Sequence, residues 1–312
     1  MKTDWINSEP VFYNTKTGKA SKNMLDVMDT YEFDNEGLYD YLNFGYQAFE
    51  QSAIKNVRKL PHSSETIGDG HFWRYSDPID KYIGKTSSVD EAIETLGNHV
   101  RNFEKSNNEK LLLLLSGGYD SRFLAHFIQD KSRLTAFTCD ISIGNKNSHE
   151  VMRAKEVCKR LGIKWGFLNI DNYFHRFFTG LVFENFGIEV NSGAGITFEM
   201  IHKIYNLDGM VLHGSVGDWW RVQKVKINPP KDHLDFGSLF FNHGTGIPQE
   251  FIKIKTNHEN KQLEFEQNIK RLREDELFRI VYARRGRIGC SSLGMRIIEK
   301  YFKAYTPYYD ID

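Results

Sequence analysis

Six consecutive residues, Ser116-Gly117-Gly118-Tyr119-Asp120-Ser121, combine two hydroxyls, two glycines and one carboxylate. Gly117 and Gly118 let the main chain come close to a ligand, so that backbone N–H groups at a helix start can face an anion. Ser116 and Ser121 add hydroxyl donors. Asp120 would repel a bare phosphate, which points to a hard cation such as Mg²⁺ bridging from its carboxylate to phosphate oxygens. A nucleoside triphosphate with its metal satisfies all of these groups.

Such a loop needs a rigid strand before it and a helix after it. The pentaleucine Leu111–Leu115 supplies the first, because a strand apolar on both faces belongs in the middle of a parallel sheet with helices on each side. Phe123, Leu124, Phe127 and Ile128 recur at helical spacing and supply the second. Before the loop, Val89, Ala92, Ile93, Leu96, Val100 and Phe103 predict a helix over Ser87–Phe103. After it, the pattern keeps alternating. Leu134–Cys139 reads as a strand, Ser148 caps a helix carrying Val151, Ala154, Val157, Cys158 and Leu161 that Gly162 closes, and Lys164–Ile170 reads as a further strand. Met210–His213 is another strand and feeds a second small-residue loop, Gly214-Ser215-Val216-Gly217-Asp218. This alternation predicts an α/β fold with a doubly wound parallel sheet, which places its ligand at the C-terminal ends of the strands. Outside it, Val11–Lys19 reads as a hairpin turning at Lys16-Thr17-Gly18, Asn191–Gly195 as a flexible loop bordering the substrate pocket, and residues 248–302 as mostly helical.

Ser116–Ser121 resembles the S-G-G-x-D-S pyrophosphate loop of the ATP pyrophosphatase (PP-loop, HUP-like) superfamily. Further stretches are similar to the synthetase domain of the asparagine synthetases within it. Phe33–Tyr46, Ile54–Pro61 and Phe72–Pro78 resemble the segment that joins glutaminase and synthetase domains; His149-Glu150 to Gly162 resembles the second helix, Gly214–Asp218 the G-E-G-x-D loop and Pro307–Asp310 the P-F-L-D element. The resemblance implies an ATP-dependent, AMP-forming ligase that adenylates a carboxylate and lets ammonia or an amine displace AMP. It implies pyrophosphate held by Ser116, Gly117, Gly118 and Ser121, adenine met by main chain around Thr138, nucleotide contacts at Gly214 and Ser215, and Mg²⁺ held by Asp120 and Asp218, the two residues expected to carry catalysis. It divides the chain into residues 1–86, a remnant of or linker from a glutaminase domain, and residues 87–312, the synthetase domain with a helical C-terminal region.

Departures from the family are equally informative. Lys2 stands where the glutaminase nucleophile would be a cysteine, so glutamine hydrolysis is not expected, and a separate glutaminase or amine-donating partner becomes the expectation. The family's lysine that stabilises the adenylating transition state lies beyond P-F-L-D, whereas the sequence stops at Asp312. Either another group replaces it, or the sequence is a fragment, or the full reaction is not catalysed. Ser215 stands where the family has Glu and cannot supply a carboxylate to orient or deprotonate the amine.

With 41 basic and 41 acidic residues the chain carries no net field to draw in nucleic acid or an anionic membrane. Cys139, Cys158 and Cys290 form no C-x-x-C pair, which argues against a disulfide framework and for reduced thiols. The start lacks an apolar signal core and no apolar run approaches the ~18 residues of a membrane span, so the expectation is a cytoplasmic protein. Two other classes share the loop: a tRNA- or nucleotide-modifying ATP pyrophosphatase, whose thiolating members need paired cysteines, and a non-catalytic nucleotide-binding subunit.

Overall fold

A computed structural model of the chain describes residues 1–44, 46–68, 71–140, 148–170, 192–215, 251–254 and 293–309. The described residues fall into two compact units, the first holding residues 1–84 and 251–254 and the second the rest.

The first unit is built on two small antiparallel sheets. Strand β1 (Phe12–Asn14) lies between β2 (Ala20–Ser21) and β3 (Val57–Lys59), and β4 (Ser64–Gly68) pairs with β5 (His71–Arg74). The β1–β2 connection turns as its sequence demands: Gly18 sits at φ +69°, and the Asn14 side chain accepts from the amides of Lys16 and Thr17. Helix α1 (Asn35–Phe44) starts where the Asp34 carboxylate accepts from the amides of Glu36 and Gly37. Gly37 is required there, since a Cβ would lie 1.8 Å from the Ser52 carbonyl oxygen.

The second unit carries the parallel sheet. Its strands are β6 (Leu111–Leu114), β7 (Leu134–Cys139), β8 (Lys164–Leu168), β9 (Met210–His213) and β10 (Ala304–Tyr305), in the order β10-β9-β6-β7-β8 and all parallel. The leucine strand is the central one of the five, as its apolar faces predict. Leu111, Leu113 and Leu115 point to one side, where they join Val100, Leu124, Ala125, Ile128, Ala154 and Cys158. Burial of each leucine contributes about 1.5–3 kcal/mol. That side is covered by helices α2 (Val89–Ser106), α3 (Tyr119–Phe127) and α4 (His149–Leu161). Ser88 and Glu91 form a reciprocal capping box at the start of α2, and Gly162 ends α4 in the left-handed conformation at φ +69°.

Helices α5 (Ser192–Ile204) and α6 (Leu293–Tyr301) pack on each other and serve the opposite face, towards which Leu112 and Leu114 alternate. The helix α5 corrects the expected loop at Asn191–Gly195: Ser192 to Gly195 form its first turn. The small residues allow a loop, but helix propagation from the apolar stretch that follows outweighs their weak local preference. The expected helices between residues 255 and 292 lie outside the described residues.

Candidate active site

The central strand ends in the loop Ser116–Gly118, and α3 begins at Tyr119, so Asp120 and Ser121 stand in the helix's first turn. The loop is ordered by its own hydroxyls. The Ser116 amide donates to Ser121 Oγ at 3.0 Å, the two Oγ atoms lie 3.1 Å apart, and the Gly118 amide donates to Ser116 Oγ at 3.1 Å. Arg122 Nε closes the outer side by donating to the Gly118 carbonyl at 2.8 Å. These bonds fix the loop's backbone, with the Ser116 and Gly118 amides engaged by its own hydroxyls.

Three other segments converge on this loop. Helix α4 brings Glu150, whose Oε1 accepts from the Gly117 amide at 3.3 Å. A Cβ on Gly117 would lie 2.9 Å from the Glu150 Cα, which is why glycine stands there. Strand β9 brings Gly214 against the start of α3, where an added Cβ would lie 2.6 Å from the Ser121 nitrogen and 3.0 Å from the Asp120 carbonyl carbon. The segment after β10 returns to both loops: Tyr308 Oη donates to the Asp120 carbonyl at 3.0 Å, and Thr306 Oγ1 donates to the Ser215 carbonyl at 3.4 Å.

Between the strand ends and α5 and α6 lies a cavity of about 300 Å³. Ser116, Asp120, Ser121, Gly214 and Ser215 of the expected site line it. Gly117 and Gly118 sit in the loop behind. Thr138 is buried with its hydroxyl accepting from Trp165 Nε1 at 3.0 Å, while its neighbour Cys139 reaches the cavity. Asp218 lies outside the described residues. Sequence reasoning passed over Glu150, His213 and Tyr308, although Glu150 and Tyr308 stand inside stretches singled out for their resemblance. His213 is 2% exposed, and both of its ring nitrogens are buried without a hydrogen-bond partner. Burial pushes its pKa down to about 4, so the ring is neutral at neutral pH. Burial acts the opposite way on the thiols, pushing Cys139 up to about 12 and Cys158 to about 11.

Among the described residues no three His, Cys, Asp or Glu side chains converge as a metal cage. The oxygen donors at the loop nonetheless suit Mg²⁺, which takes one or two carboxylates and completes its shell with substrate phosphates and water.

The asparagine synthase family matches residues 96–173. The match covers about a quarter of the chain. It runs from within α2 to beyond the end of β8 and holds the Ser116–Ser121 loop and Glu150, while His213 and Gly214 follow it. No curated protein matches the chain. Among solved structures, the chain is similar to the NH3-dependent NAD synthetase from Campylobacter jejuni subsp. jejuni NCTC 11168 in complex with the nitrate ion. The two are 15% identical over 67% of this chain and 97% of that one, with a TM-score of 0.37. No described helix of either unit is long and apolar enough to cross a membrane.

Proposed function

We propose that the chain is an ATP-dependent ligase that adenylates a carboxylate substrate and hands the acyl group to ammonia or an amine. The observation that carries this reading is the ordered Ser116–Ser121 loop at the end of the central strand, abutted by Gly214 and opening on the cavity. In the first step a carboxylate oxygen of the acid attacks the α-phosphorus of ATP, the bond to the β-phosphate oxygen breaks, and pyrophosphate leaves. Ser116, Gly117, Gly118 and Ser121 receive the charge that develops on pyrophosphate, their amides exchanging the internal acceptors Ser121 Oγ, Glu150 Oε1 and Ser116 Oγ for phosphate oxygens. The carboxylates of Asp120 and Asp218 would hold Mg²⁺, which neutralises phosphate charge when bound. Main chain beside Thr138 meets adenine, and Gly214 and Ser215 border the nucleotide from β9. In the second step the amine nitrogen attacks the acyl carbon and AMP departs.

Burial raises the pKa of the Cys139 and Cys158 thiols, and the three cysteines of the sequence form no C-x-x-C pair of the kind a thiolating relative of the same loop uses. A separate protein that supplies ammonia completes the proposal, and the compartment that fits reduced thiols is the cytoplasm.

The test is exchange of labelled pyrophosphate into ATP across a panel of carboxylic acids. At least one acid should support exchange, and Asp120→Asn should lower it by roughly 10²–10³-fold. Wild type and Asp120→Asn equally inert with every acid, while binding ATP equally well, would sink the adenylation reading.

A further inference from the structure

Amide formation leaves one chemical demand that the loop does not meet. When ammonia or an amine attacks the acyl carbon, a C–N bond forms and the nitrogen becomes positively charged. The bond from that carbon to the phosphate oxygen of AMP then breaks, and the nitrogen must lose a proton for the neutral amide to persist. A positioned base accelerates such a step by roughly 10²–10⁴-fold.

Three titratable groups besides His213 line the cavity among the described residues. Glu150 accepts the Gly117 amide, Asp120 stands in the first turn of α3 at the phosphate end, and burial keeps the Cys139 thiol protonated. Ser215 brings only a hydroxyl. His213 differs from all of them. It ends β9 beside Leu114 of the central strand and lines the cavity together with Asp120, Gly214, Thr197 and Met200. Leaving a buried polar group unpaired costs about 1–3 kcal/mol, and an aliphatic side chain would pack there without that penalty. A neutral imidazole has one N–H and one free lone pair, so it can accept a proton as it stands.

We infer that His213 is the base that takes the proton from the attacking nitrogen, an assignment that rests on the adenylation reading. The lone pair of its unprotonated ring nitrogen forms the new N–H bond as the amide nitrogen gives up its proton. The imidazolium then passes that proton to the departing AMP or to solvent. Burial disfavours the charged ring in isolation, but the proton comes from a nitrogen already bonded to the acyl carbon, a far stronger acid than free ammonium, and arrives beside an anionic phosphate.

The two half-reactions separate this assignment from the reading it rests on. His213→Gln keeps a donor and an acceptor but has no base, and His213→Ala opens room for exogenous imidazole. With the acid that best supports exchange in wild type, and ammonia as amine, both variants should keep pyrophosphate exchange within about threefold while amide formation falls about 100-fold. Imidazole should restore amide formation in His213→Ala and leave His213→Gln unchanged. Amide formation that survives in both variants, or that falls only as far as exchange does, overturns the assignment and leaves adenylation standing. Wild type that exchanges with no acid overturns adenylation and the assignment together. Urea midpoints of both variants confirm that the comparison is between folded proteins.

Discussion

Gly214→Ala should open the junction between the two strand-end loops. The added Cβ would lie 2.6 Å from the Ser121 nitrogen, 3.0 Å from the Asp120 carbonyl carbon and 3.1 Å from the Asp120 Cβ. Ordinary contact begins near 3.4 Å, so the nearest pair must separate by about 0.8 Å, the difference between 3.4 and 2.6. The nearest atoms are main chain, and no side-chain rotation relieves them. Either the end of β9 or the first turn of α3 moves. Overpacking of this kind costs about 1–3 kcal/mol and should lower the urea midpoint accordingly. A displacement approaching 1 Å at the phosphate end should also reduce pyrophosphate exchange by roughly 10²-fold. Gly162→Ala is the control: at φ +69° it costs about 1–2 kcal/mol through backbone strain, yet a Cβ there meets nothing within 4 Å. It should lose stability and keep exchange. The reasoning is refuted if Gly214→Ala melts and exchanges like wild type, or if the two variants lose exchange to the same degree.

Acid should weaken the fold through His213. Its imidazole takes up a proton near pH 6.5 when unfolded and near pH 4 when folded, so the unfolded chain binds more protons between those values. Its contribution is complete above pH 6.5 and declines by about 3 kcal/mol as pH falls to 4, and His213→Gln should flatten urea midpoints across that window. Glu104, 8% exposed, accepts the amides of Gln129 and Asp130 at 2.7 and 2.8 Å, tying α2 to the connection between α3 and β7. Glu104→Ala should cost about 2–4 kcal/mol by leaving both donors unanswered, and amide exchange at Gln129 and Asp130 should quicken.

Much of the second unit was legible because its signals are local. Five leucines in a row mark a strand with no solvent face, and that strand lies at the centre of the sheet. Ser148 and Gly162 bracket α4 as their side-chain chemistry requires. The error at Asn191–Gly195 has the same root: glycine and serine state a weak local preference, and the helix that follows overrides it. The register of the sheet was beyond local reading. Pairing of Leu114 with Phe137 on one side and with His213 on the other is what brings residues about a hundred positions apart to one cavity.

The sequence by itself determined that a loop of small residues follows a buried strand and that Asp120 stands beside it, because those facts need only neighbouring residues. Tertiary structure decided what surrounds the loop. It seats Glu150 on the Gly117 amide, ties Tyr308 to the Asp120 carbonyl, and closes Gly214 against α3. It also turns His213, unremarkable in sequence, into a buried neutral imidazole with two unanswered nitrogens, on a residue that lines the same cavity. Burial and the strand order of the sheet are properties of the assembled chain, and they set both its protonation and its neighbours.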